Sequence, residues 1–97
     1  MKPLFFLPEA KTELDEAERY YETRRPGLGF DLRREVELAA NRIQENPERW
    51  SPFTERTRRF RLRRFPYSVI YLILPNHLYV IAVAHHKQHP GYWRTRL

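Results

Sequence analysis

Arg59, Arg61 and Arg63 recur at every second position, and His85, His86 and His89 crowd the C-terminal end with Tyr92 just behind them. On an extended strand, alternate side chains share one face about 6.5–7 Å apart. That spacing resembles the step between phosphates of an extended nucleic-acid strand, so each guanidinium can meet one phosphate. Arg58 and Arg64 lengthen the row. Histidine titrates near neutrality, and nearby arginines favour its neutral, basic form. RNA is cut when its own 2′-hydroxyl attacks the adjacent phosphorus, which needs a base, cations for the transition state and an acid for the leaving oxygen. His86 or His85, Arg61 and Tyr92 have the right types for those roles. Arginine cannot itself be the base, because its pKa exceeds about 12. The plainer alternative is a charged edge strand that resists aggregation, with surface histidines and a Tyr92-Trp93 core plug. Neighbouring strand residues point to opposite faces and no acid follows in sequence, so no metal site and no cofactor is expected.

The charge distribution sharpens the anion reading. All twelve acidic residues lie at or before Glu55. Residues 56–97 carry nine cations and no anion, whereas residues 1–55 carry nine cations against twelve anions, so the two parts stand at +9 and −3. Lys87, Arg94 and Arg96 bring the cationic surplus into the tail. An uncompensated basic field attracts polyanions, nucleic acid first among them. Of the eighteen basic residues all but Lys2, Lys11 and Lys87 are arginine, whose planar fork suits phosphate.

Two helices and a sheet must position these groups. Ala10, Leu14, Ala17 and Tyr21 form one helical stripe, and Leu32, Val36, Ala39 and Ile43 repeat its spacing. Pro26-Gly27 ends the first helix and Asn46-Pro47 the second, which predicts an antiparallel hairpin through a Pro-Gly-Leu-Gly turn. Glu9, Glu13, Asp15, Glu16 and Glu18 are expected on the solvent side of the first helix. Leu4 to Leu7, bounded by prolines, reads as a short buried strand. Arg58 to Arg63 alternates, with Phe60 and Leu62 opposite the arginines. Ser68 to Leu74 and Leu78 to Ala84 are apolar on both faces, as strands covered on both sides are, and Pro75-Asn76-His77 joins them as a hairpin. The expected class is α+β, order β-α-α-β-β-β, a helical hairpin on a small, mainly antiparallel sheet with a short C-terminal tail.

Ninety-seven residues without a linker-like stretch suggest one domain, 1–97. There is no cysteine, so neither disulfides nor thiolate metal sites are available. The apolar start is cut by Pro8, too short for a signal peptide or a membrane span, and a cytoplasmic protein with no membrane partner is expected.

The run Arg-Phe-Arg-Leu-Arg-Arg-Phe-Pro-Tyr-Ser-Val-Ile-Tyr (59–71), then Ala-His-His-Lys-Gln-His-Pro-Gly-Tyr-Trp-Arg (84–94), resembles the RelE/ParE toxins of bacterial type II toxin–antitoxin systems. Upstream, Ala-Glu-Arg-Tyr-Tyr-Glu and Arg-Pro-Gly-Leu-Gly-Phe resemble that family's helical hairpin. The resemblance implies a toxin with an acidic cognate antitoxin that arrests growth by cleaving mRNA on the ribosome, with inhibition of DNA gyrase by binding alone as the alternative. A non-toxic, nucleic-acid-binding homologue is the third alternative. Against the nuclease pattern, Arg59 and Arg61 stand where RelE-like members carry two catalytic lysines, and Arg63 falls on another basic position. His86 takes the place of a phosphate-binding arginine and Tyr92 that of a stacking tyrosine. Ser68 departs from the pattern, which has arginine after the strand tyrosine. By this resemblance Arg61, His86 and Tyr92 are the candidate catalytic residues, with Arg58, Arg59, Arg63, Arg64, Lys87, Arg94 and Arg96 binding nucleic acid.

Overall fold

The two matched stripes become two helices, α1 (Pro8–Arg24) and α2 (Leu28–Glu45), in the computed structural model, which describes residues 1–97. Pro8 occupies the first turn, where a missing N–H costs nothing. Ala10, Leu14 and Ala17 are buried together with Leu32, Val36, Ala39 and Ile43, so both stripes face one core. The connection is tighter than expected, because Leu28 and Gly29 already belong to α2. Gly27 supplies the left-handed turn at φ 89°. Glu22 then accepts the N–H groups of Gly27 at 2.8 Å and Gly29 at 3.0 Å, capping α2 from the neighbouring helix. Arg33 bridges back to Asp15 at 2.5 Å and Glu18 at 2.7 Å. Acids expected merely to face solvent therefore join the two helices.

Five strands form the sheet: β1 (Leu4–Phe6), β2 (Ser51–Pro52), β3 (Thr57–Arg61), β4 (Tyr67–Ile73) and β5 (Leu78–His85), in the order β1-β5-β4-β3-β2. Only β1 and β5 run parallel. The α+β class and the expected order hold, with the two-residue β2 as an addition. β1 is an edge strand rather than a buried one, and Phe5 is half exposed. The tail closes as a 3-10 helix, Tyr92–Arg96, after Gly91 at φ 79°.

Each face of the sheet has its own core, which is why β4 and β5 are apolar on both sides. Val69, Tyr71, Leu78, Val80 and Val83 pack under the helices. Ile70, Leu72, Ile81, Ala82 and Ala84 form the second cluster, covered by Trp93, which is 2% exposed. Between them the register slips: Ile70 pairs with Ala82, but Tyr71 pairs with Val80. Ile81 is thus the extra residue of a β-bulge, and the alternation of β5 reverses there. The reversal puts Ala84 and His86 on the face away from the helices. No helix is long and apolar enough to cross a membrane.

Candidate functional site

Cross-strand pairing gathers a cleft on that second face. Arg59 pairs with Ile70 and Arg61 with Ser68 across β3 and β4, and Ser68 pairs with Ala84 across β4 and β5. Paired residues share a face, so the two arginines stand above a floor of Ser68, Ile70 and Ala84. Phe53 and Trp93 close one side, and His85, His86 and the Gln88–Gly91 turn close the other, around a volume of about 320 Å³. The Arg59 guanidinium lies 4.4 Å from the centre of the Phe53 ring, a cation–π contact that holds it at the rim. Neither Arg59 nor Arg61 is engaged by an acid; the ion pairs of the chain lie elsewhere.

His86 is the titratable group of this cleft. Its Nε2 is 2.9 Å from Ser68 Oγ, and its backbone N–H donates to the Pro66 carbonyl. His86 is exposed overall, but partial desolvation of the ring edge against Ser68, then the Arg61 guanidinium, hold its pKa below the usual histidine value. His86 is therefore neutral at physiological pH, with one nitrogen committed to a buried hydroxyl. His85 stands at the rim with its ring edge-to-face against Tyr67, and its Nδ1 accepts the Lys87 N–H at 3.0 Å. His89 Nδ1 lies 3.0 Å from the carbonyl of Pro90. No three acidic or imidazole side chains converge as a metal would require.

Other expected members are elsewhere. β3 stops at Arg61, and Arg63 does not continue its row. The Arg63 and Arg64 N–H groups both donate to Glu35 Oε1 of α2, and Arg64 pairs with Asp31 at 3.5 Å, so the chain turns toward the helices here. Arg58 lies on the helix side and donates to the Glu48 and Trp50 carbonyls, stitching the α2–β3 connection. Lys87 is exposed in the turn after β5. Arg94 lines a separate hollow beyond Phe53, together with Arg56 and Glu55.

Tyr92 and Arg96 are also absent from the cleft. Beyond the end of β1, the outer edge of β5 has no strand beside it, and Ile81 and Val83 would leave backbone groups unpaired. Arg96 donates to the Ile81 carbonyl at 2.9 Å, and Glu13 Oε1 accepts the Val83 N–H at 3.0 Å. The two side chains pair with each other at 3.0 Å, and Tyr92 donates its hydroxyl to Glu13 Oε2 at 2.5 Å. Burial and the Glu13 carboxylate both raise the Tyr92 pKa. Glu13, expected in solvent, is thus the centre of a seal on the sheet edge. Sequence reasoning missed it, as it missed Phe53 and Trp93 as cleft walls. Trp93 carried a weak signal as a large apolar residue in a charged tail, whereas Glu13 carried none.

The chain matches the family model described as ParE toxin of type II toxin-antitoxin system, parDE, over residues 4–90. None of the curated proteins matches it. Among solved structures, a chain of the chromosomal ParDE TA system from P. aeruginosa superposes with a TM-score of 0.78 at 15% identity. That alignment covers 88% of this chain and 96% of the other. At this identity the likeness is one of fold.

Proposed function

Because the chain belongs to the ParE family of toxins from type II toxin–antitoxin systems, we propose that it arrests growth by holding its target, DNA gyrase, rather than by cutting RNA. The observation that carries this reading is the engagement of Tyr92. Its hydroxyl is bound to Glu13 on the sheet edge, and its raised pKa opposes loss of the proton to a leaving group. Cleavage needs an acid and a base aligned on one phosphate, and the cleft has lost the tyrosine meant for one of those roles. Arginine at 59 and 61 supplies charge without proton transfer.

A second reading, cleavage of ribosome-bound mRNA, draws support from His86. A neutral imidazole beside Arg61 is suited to accept a 2′-hydroxyl proton. Under either reading the partner within the module is an acidic antitoxin, whose carboxylates complement the free arginines of the cleft and whose chain orders as it binds.

The two readings separate in one experiment with purified toxin. Binding alone predicts that gyrase supercoiling stops while ribosome-bound mRNA stays intact, and that His86→Ala inhibits supercoiling as well as the unaltered chain. Cut message with 2′,3′-cyclic phosphate ends, lost in His86→Ala, would establish the second reading instead.

A further inference from the structure

The arginines that leave the strand row line a groove of their own on the helix side of the sheet. Glu35 Oε1 accepts the backbone N–H groups of Arg63 at 2.7 Å and Arg64 at 3.2 Å, and Leu62 and Phe65 on either side are buried. The β3–β4 loop is thereby pinned against α2, with Arg63 and Arg64 displayed between its anchors. Opposite the loop, Glu35, Leu38, Ala39 and Arg42 recur at helical spacing along one face of α2. Phe60 of β3 completes the walls; it pairs with Val69 and so shares the face that the helices cover. The groove holds about 350 Å³, the lower end of the about 300–1,000 Å³ of small-ligand sites.

Charge and apolar surface are both open in it. Arg42 and Arg63 are exposed, and neither guanidinium is bound to an acid of the chain. Arg64 adds a third cation at the rim, loosely held 3.5 Å from Asp31. Leu38 is 49% exposed and Phe60 half-buried, so each presents carbon to an occupant. The Phe60 ring is fixed edge-to-face against Trp50 at 4.4 Å, and the Trp50 indole N–H donates to the Arg42 carbonyl at 3.5 Å.

We propose that this groove binds a nucleotide unit, with its phosphate between Arg42 and Arg63 and its base against Phe60 and Leu38. A free nucleotide and one residue of a single strand share this chemistry. The site lies across the sheet from the cleft and does not depend on how the toxin treats gyrase.

Two unengaged guanidiniums can hold a phosphate in forked geometry. An aromatic ring beside such cations is the pairing that recognises single-stranded bases by stacking. Glu35 decides between a nucleotide and an acidic peptide. One of its oxygens holds the loop, and the other is left for a donor from outside. A run of carboxylates meets repulsion from Glu35, and from Asp31 beside Arg64. A nucleotide keeps its charge at one end and offers amino and hydroxyl donors at the other, which a carboxylate oxygen accepts.

The test titrates the purified full chain with adenosine monophosphate, adenosine and inorganic phosphate by calorimetry, and with a labelled oligo(dA) hexamer by fluorescence anisotropy. Adenosine monophosphate should bind about fivefold or more tightly than either half alone, since the charged contact and the base contact each contribute at least that factor. Arg42→Ala and Arg63→Ala, both at exposed positions, should each weaken it about tenfold. Each should also reduce the salt slope of hexamer binding by about 0.7, the share of one single-strand phosphate. Phe60→Leu keeps the wall apolar and should weaken adenosine monophosphate about fivefold while leaving inorganic phosphate unchanged. Circular dichroism confirms that each variant is folded. A hexamer bound more tightly than the mononucleotide identifies a strand as the source, and one bound no more tightly identifies the free nucleotide. The proposal is overturned if neither binds, or if inorganic phosphate binds as tightly as adenosine monophosphate. It is overturned too if a glutamate-rich peptide binds more tightly than both, or if Arg61→Ala loses binding while Arg42→Ala keeps it.

Discussion

Replacing Glu13 with alanine tests the seal on the sheet edge. The carboxylate accepts the Val83 N–H, the Tyr92 hydroxyl and both terminal nitrogens of Arg96. Its removal leaves a guanidinium, a phenol and a backbone amide without their partner in one place. Removing one member of a fully buried ion pair costs about 3–5 kcal/mol. The Arg96 and Glu13 side chains are 16% and 15% exposed, so residual hydration trims the cost, and about 2–4 kcal/mol is expected. At about 4–8 °C per kcal/mol for a domain of this size, the melting temperature should fall by roughly 8–32 °C. Urea unfolding followed by circular dichroism gives the free energy directly. The Glu13→Ala/Arg96→Ala double variant should lose less than the sum of the singles, with a coupling of about 1–3 kcal/mol. A Glu13→Ala chain within about 0.5 kcal/mol of the unaltered protein, the range of an ordinary surface change, would refute the reasoning.

Three further outcomes follow from the packing and the charges. Arg61→Gln should raise the His86 pKa toward its ordinary value, since the partial desolvation of the ring remains but the guanidinium is gone; an unchanged midpoint in an NMR titration would contradict this. Gly29→Ala should destabilise by about 1–3 kcal/mol, because a Cβ there runs into the Glu18 carbonyl of α1 where the helices meet; thermal melting reads it, and no loss would show that the helices part freely. Trp93→Ala should cost about 3–5 kcal/mol, since its ring covers the second core and is almost fully buried; a small loss in urea unfolding would mean that the 3-10 helix is not docked.

The helical hairpin was legible because burial follows period: Leu32, Val36, Ala39 and Ile43 are all buried, as their spacing implies. The two-sided character of β4 and β5 was legible for the same reason. What alternation could not reveal is the bulge at Ile81, since one extra residue reverses every side chain after it. Simple alternation from Leu78 leaves His86 under the helices, whereas the bulged strand sets it beside Ser68. Ser68, read as a departure from the nuclease pattern, proves to be the partner of His86. Arg63 was misread for a different reason. The pattern Arg-Leu-Arg continues past the strand end, and the turn is fixed by Glu35, distant in sequence. Glu13 was hidden by the same kind of long-range contact, because the orphaned groups of β5 come from a neighbouring strand that stops early.

The central claim is that this toxin holds rather than cuts. The most direct measurement mixes the purified chain, in parallel, with gyrase on relaxed plasmid and with programmed ribosomes carrying a labelled message. The account predicts that supercoiling ceases and the message remains full length, with His86→Ala indistinguishable from the unaltered chain in both. Message cut at the ribosome with supercoiling intact would contradict it.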